Sequence, residues 1–230
     1  MTQAEFDQHA EAYERCLRET IAITGEGPEY FSEYKVADTQ RICVAEGLAP
    51  KRVLDFGAGI GNSTPYLHGC FPGAEILAAD VSQKSLEILD RRFPTMARCA
   101  LIEGGRIPAE DGSVDLAFTA CVFHHIEAGE HLHWLKELRR VVRQGGLFVL
   151  FEHNPYNPLT VRAVNTCLFD EKAVLIKAGE MAHRLREAGW SEVTQRYRIF
   201  FPAALAAARP LERWMTWLPL GGQYSLTAKA

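Results

Sequence analysis

The segment Gly57-Ala58-Gly59-Ile60-Gly61 constrains this chain more than any other. It follows a short apolar run, Arg52 to Phe56. It precedes a segment from Thr64-Pro65 that reads as a helix, with proline allowed in the first turn. A strand, a glycine-rich turn and a helix in that order open an α/β sheet, whose ligands sit beyond the carboxyl ends of the strands. Glycine supplies positive φ and close backbone approach in such a turn. Downstream, the alternation continues. Glu75 to Ala79 reads as a strand ending in Asp80, and Ser82 caps a helix running to Arg92. Ala97 to Ile102 and Val114 to Thr119 read as strands, and His131 to Val142 as a helix. Gly146 to Phe151 is a continuous apolar run, as expected of a strand covered on both faces. The predicted class is α/β, a doubly wound and mostly parallel sheet. After a helix over Gly179–Ala188, the segments Val193–Phe201 and Gln223–Lys229 predict an antiparallel hairpin at the sheet edge, making seven strands.

Upstream, Ala4 to Thr24 has helical spacing through Phe6, Ala10 and Tyr13. Tyr30 to Glu46 resumes it, with Gly47 as C-cap. The expected organisation is a helical lid over residues 1–49 and a core over 50–230, with insertions at 154–178 and 203–220. A hydrophobic share of 47% and a charged share of 23% describe a globular chain. The net charge is −4 without a basic stripe, which argues against a nucleic-acid partner. Cysteines at 16, 43, 70, 99, 121 and 167 show no C-x-x-C spacing. The polar amino terminus and the lack of an apolar run of about 18 residues predict a cytoplasmic protein without membrane insertion.

The chemistry-bearing positions fall at predicted strand ends. Asp80, about 20 residues beyond the loop, stands where a carboxylate accepts both hydroxyls of a ribose. Asp55 puts a second carboxylate at the loop. That is a poor neighbour for a pyrophosphate and a good one for an ammonium group. Asn62 stands where the dinucleotide fingerprint G-x-G-x-x-G requires glycine. Val53-Leu54-Asp55-Phe56-Gly57-Ala58-Gly59-Ile60-Gly61-Asn62 resembles the first motif of class I S-adenosylmethionine-dependent methyltransferases, in the small-molecule branch that includes the ubiquinone-biosynthesis enzymes. Ala79-Asp80-Val81-Ser82 resembles the second motif, and Glu103-Gly104-Gly105-Arg106-Ile107-Pro108 the Asp-Ala-x-x-Leu-Pro stretch, with glutamate for aspartate and glycine for alanine. Val114 to Phe118 and Val122 to Ile126 resemble the fourth strand and its loop. The likeness covers roughly residues 50–153. It implies S-adenosylmethionine as cofactor, with S-adenosylhomocysteine as product, held by Asp55, Gly57, Ala58, Gly59, Gly61, Asp80, Val81, Glu103, Gly104 and Ala120.

His124 and His125 follow the fourth predicted strand, and His153 ends the fifth. Histidine titrates near neutral pH, so each is a candidate base, with His125 ahead on resemblance. The expected reaction is methyl transfer to a small-molecule acceptor, at oxygen by preference because the histidines sit where a base helps. The alternatives are a non-catalytic adenosyl-ligand-binding protein and a nucleotide-dependent oxidoreductase. No metal is expected, since His131 and His133 point to different helix faces. Tyr13 and Tyr34 are candidate lid contacts. Between Pro210 and Pro219 a short helix is predicted, with Leu211, Trp214, Met215 and Leu218 on one stripe. The expectation is that this stripe packs on the chain's own sheet. The alternative is an exposed contact for a homodimer, ahead of a membrane surface.

Overall fold

A computed structural model of the protein describes residues 18, 20–167 and 173–230. Most of the helix predicted over Ala4–Thr24, with Phe6 and Tyr13, lies outside them. Its end is a 3-10 turn, Ala22–Thr24, closed by Gly25. Helix α1 spans Pro28–Ala45. It starts before the predicted Tyr30 because Pro28 occupies the first helical position, where a missing N–H costs nothing. The order then runs β1 (Arg52–Phe56), α2 (Thr64–Cys70), β2 (Glu75–Asp80), α3 (Gln83–Arg92), β3 (Arg98–Leu101), β4 (Val114–Ala120), α4 (His131–Val141), β5 (Val142–His153), α5 (Pro158–Thr166), α6 (Ala178–Glu187), β6 (Ser191–Arg198), α7 (Glu212–Met215) and β7 (Gln223–Lys229).

The seven strands form one sheet in the order β3-β2-β1-β4-β5-β7-β6. β1 to β5 pair parallel, and β7 runs antiparallel between β5 and β6. The apolar runs are continuous because alternate residues serve different cores. Leu54, Ala117, Phe148 and Leu150 face a core shared with α4 and α6. Val53, Leu116, Phe118, Val149 and Phe151 face a second core, which Val36 and Cys43 of α1 complete. At the edge away from the carboxyl ends, Asp115 Oδ2 accepts from Lys51 N at 2.8 Å and Arg52 N at 2.9 Å, which fixes where β1 begins.

Three predicted boundaries move for local reasons. β5 begins at Val142, through a register shift against β4 between Val114 and Leu116. β6 stops at Arg198, short of Phe201, because Ile199 turns to φ +61. The third correction is larger. Residues Ala203–Leu211 wind as 3-10 helix with Leu205 off helical geometry, and true α-helix lasts only Glu212–Met215. A stripe at 3.6-residue spacing therefore never forms. Instead of packing on the sheet, Leu211, Trp214 and Trp217 are 50%, 59% and 74% exposed. The segment is fastened by Glu212, whose Oε1 accepts from Phe200 N and Phe201 N, each at 3.0 Å. No helix among the described residues is long and apolar enough to cross a membrane.

Candidate active site

The carboxyl ends of β1, β2, β4 and β5 open into a cavity of about 770 Å³, roofed by α1, α5 and residues 199–202. Its floor begins with the glycine loop. Gly57 N and Ala58 N donate to Ala79 O at 2.8 and 3.1 Å, tying the loop to the end of β2. Gly59 has φ +54, and a Cβ built there meets nothing within 4 Å, so the turn leaves open space on the cavity side. Gly61 is glycine for a different reason. A Cβ there would stand 2.7 Å from Leu89 Cγ, so its role is packing of α3 under the loop.

Two carboxylates lie at this end. Asp80 Oδ2 accepts from Gly59 N and its Oδ1 from Ser82 N, both at 2.8 Å. The side chain is thus fixed against the loop, at the end of β2. Asp55 is 3% exposed, and its Oδ2 has no hydrogen-bond partner among the described residues. Burial, with the Asp80 charge nearby, pushes its carboxyl up to about 7. An orphaned buried carboxyl facing a cavity calls for a cationic or donor group from outside the chain.

The opposite end is built by β4 and β5. Glu152, 1% exposed, accepts from Val122 N at 2.9 Å and Phe123 N at 2.7 Å through Oε1. Its Oε2 lies 2.7 Å from His124 Nδ1. One buried carboxylate therefore both pins the turn after β4 and orients the imidazole. Burial opposes its charge, yet the His124 ring, with His153 and His125 beyond, holds the Glu152 carboxyl down at about 2. The His124 ring centroid lies 4.0 Å from that of His125 and 5.1 Å from that of His153. Three imidazoles gathered at tilted angles beside a carboxylate can take up and pass on a proton.

Asp55, Gly57, Ala58, Gly59, Asp80, Val81, Ala120, His124, His125 and His153 all line the one cavity. Gly61, Glu103 and Gly104 do not. Glu103 and Gly104 are exposed, and Glu103 pairs only locally across to Arg106. Tyr34 faces a different cleft, beside Asp38 and Arg198. Three residues escape the sequence reading. Glu152 looks like a strand residue before His153. Gln223 looks like a strand start. Lys35 carries a usable signal: Ser32, Lys35, Val36, Thr39 and Cys43 are the buried stripe of α1, so a charge stands where a core residue is due.

Residues 54–150 match the family model described as "Methyltransferase domain". The chain is 36% identical over 102 residues to a malonyl-[acyl-carrier protein] O-methyltransferase of Methylococcus capsulatus, covering 44% of this chain and 36% of that protein. It is 30% identical over 162 residues to a demethylmenaquinone methyltransferase of Clavibacter sepedonicus, covering 69% of this chain and 61% of that protein. The chain thus spans less than two thirds of either relative. Among solved structures, it is similar to a SAM-dependent methyltransferase of Thermotoga maritima described as a possible histamine N-methyltransferase. That likeness has a TM-score of 0.67 at 16% identity and covers 97% of both chains. Sheet order, glycine loop and fixed strand-end carboxylates agree with the matched family, and residues 54–150 form a methyltransferase domain on a Rossmann-like sheet.

Proposed function

We propose that this chain methylates an oxygen atom of a small-molecule acceptor. The family's cofactor fits the residues present. Asp55 Oδ2, buried without a partner, meets the need of an ammonium or sulfonium. Asp80 is placed for the ribose hydroxyls, Val81 and Ile102 offer apolar surface to a flat base, and Gly59 leaves room beside the loop. When bound, S-adenosylmethionine supplies an electrophilic methyl group and leaves as a thioether. The chain's own work is to align the two reactants, keep water out and take the acceptor's proton.

The observation that carries the oxygen assignment is the Glu152–His124 pair at 2.7 Å. A neutral hydroxyl is a weak nucleophile, and a base beside it gives roughly 10²-fold or more. Glu152 orients the His124 ring and so makes His124 the first candidate for that base, with the tilted rings of His125 and His153 beside it. Within the expected lid over 1–49, the described residues 20–49 serve as a cover: Ile21, Tyr30, Phe31 and Lys35 all line the cavity. Exposed Trp214 and Trp217 offer a contact to a second copy of the chain, tryptophan being favoured at such contacts.

Calorimetric titration tests the cofactor assignment. S-adenosylhomocysteine should bind and NAD should not, and the reverse would replace this reading by an oxidoreductase. A methyl-transfer screen over phenols, carboxylic acids, amines and thiols tests the accepting atom. Transfer to amines alone would overturn the oxygen assignment.

A further inference from the structure

Lys35 is 8% exposed and lines the active-site cavity. Among the described residues its Nζ has one hydrogen-bond partner, Cys121 Sγ at 3.5 Å. It forms no ion pair with any of their carboxylates. Taking an ammonium out of water without a counter-charge costs several kcal/mol. On the same sulfur, Gln223 Nε2 closes from β7 at 3.6 Å. Gln223 is 6% exposed, lines the same cavity, and its Oε1 is buried without a partner. An uncompensated cation and an amide N–H donor therefore converge on one point beside the end of β4, while the orphaned Gln223 Oε1, an acceptor, takes no part in holding an anion.

Charge in the cavity is divided. Asp55 and Asp80 end β1 and β2. Glu26 is paired with Arg209, and Glu127 and Glu130 are exposed at the rim. Lys35 is the only lysine or arginine among the described residues that line the cavity. Apolar side chains line much of the same cavity, among them Phe31, Leu159, Ala163, Ile199, Phe200 and Phe201.

We propose that Lys35 Nζ, with an N–H of Gln223 Nε2 beside it, seats an anionic oxygen of the methyl acceptor. The acceptor is then a largely apolar small molecule carrying a carboxylate or an ionised phenol or enol. This rests on the methyltransferase reading above and names its substrate class. The competing source of an anionic oxygen is the cofactor's own carboxylate. That group shares a carbon with the ammonium, which belongs at Asp55 on β1. Lys35 and Gln223 meet at Cys121, which follows β4, one strand from β1. The two sources of an anionic oxygen are therefore separated by the affinities of Lys35→Met for acid and for S-adenosylhomocysteine.

The test is calorimetry on the full chain saturated with S-adenosylhomocysteine. The probes are benzoic, phenylacetic and octanoic acids, each against its primary amide. The parent should prefer acids by roughly 10- to 100-fold, the range of a charged hydrogen bond. Lys35→Met should abolish that preference while S-adenosylhomocysteine affinity stays within about two-fold, well under one such bond. A parent that binds S-adenosylhomocysteine yet treats acids and amides alike overturns the seat and leaves the methyltransferase reading intact. A parent that fails to bind S-adenosylhomocysteine overturns that reading itself. Retained acid preference in Lys35→Met, with cofactor-product binding weakened, puts Lys35 on the cofactor and overturns the proposal. Should Lys35→Met fail to fold, Gln223→Leu carries the test: a reduced acid preference supports the seat, and an unchanged one overturns it.

Discussion

Asp55→Asn separates the electrostatics of the empty site from those of the loaded one. The Asp55 carboxyl moves from 3.8 to about 7 on folding, chiefly because it is buried. At about 1.4 kcal/mol per decade, that is roughly 4 kcal/mol. Between those two values the folded chain holds a proton there and the unfolded chain does not. Stability therefore falls as pH rises through the window, and the contribution is fully favourable only below 3.8. Asparagine cannot ionise. The variant should match the parent near pH 4 and exceed it at pH 7, by up to about 4 kcal/mol in denaturant unfolding without ligand. Ligand binding should show the opposite preference. A cationic ligand favours the carboxylate, so the parent should release close to one proton on binding S-adenosylhomocysteine at pH 6. The variant should release none through this group and bind more weakly. Proton release is read from calorimetry in two buffers of different ionisation enthalpy. Parallel stability curves for parent and variant from pH 4 to 7, or equal proton release, would refute the assignment of Asp55 as an orphaned acid awaiting a cation.

Asp80→Ala should weaken S-adenosylhomocysteine binding by about 1.5–3 kcal/mol. It should also loosen the glycine loop, because Gly59 N and Ser82 N lose their acceptors, so a lower unfolding midpoint accompanies the affinity loss. Glu152→Gln should cut turnover by about 10²-fold, with the acid limb of the rate profile moved to lower pH because the charge favouring the imidazolium is gone. The parent's Glu152 contribution to stability is present above 4.5 and lost as pH falls toward about 2, so acid unfolding should be less steep in the variant. Trp214→Glu with Trp217→Glu should fold with parental stability, since both rings are exposed, and should lower the sedimenting mass if they hold a dimer together. A variant that cannot fold would show that these rings are packed. An unchanged mass would remove the dimer contact.

The cofactor half of the sheet is legible because its signals are local. A strand, its glycine turn and the capping serine of the next helix stand within a few residues of one another. Gly57, Gly59, Asp55 and Asp80 can be picked out without knowing what lies opposite. Gly61 shows the limit of that reading. Its neighbour Leu89 belongs to the next helix, and from sequence a packing glycine looks the same as a ligand-facing one. The acceptor half is assembled from distant segments. Glu152 matters because its carboxylate reaches the turn after β4, and Gln223 because β7 inserts between β5 and β6. No spacing rule predicts either. Residues 203–220 misled for another reason: apolar spacing is a helix signal only where the backbone holds 3.6 residues per turn, and here 3-10 winding ends at Leu211 and α-helix lasts only Glu212–Met215, leaving Leu218 beyond it.

The antiparallel strand is what joins the two halves chemically. Parallel strands bring their last residues to the ligand edge, but β7 brings its first. Gln223 therefore pairs in register with His153 at that edge. The chain entering β7 must cross the mouth of the cavity to arrive there, and it is stitched to the other insertion as it does so. Asn154 Nδ2 donates to Gly221 O at 2.7 Å, Asn157 Nδ2 to Leu220 O at 2.8 Å and Thr160 Oγ1 to Gly222 O at 2.9 Å. Gly221 is pressed so close that a Cβ there would stand 2.4 Å from Arg198 O. Residues 154–160 and 219–222 are thus joined into one hydrogen-bonded wall. A substitution in either insertion reaches Gln223 through this wall without touching Asp55 or Asp80, so on the proposed reading it should change acceptor preference while S-adenosylhomocysteine affinity stays as it is.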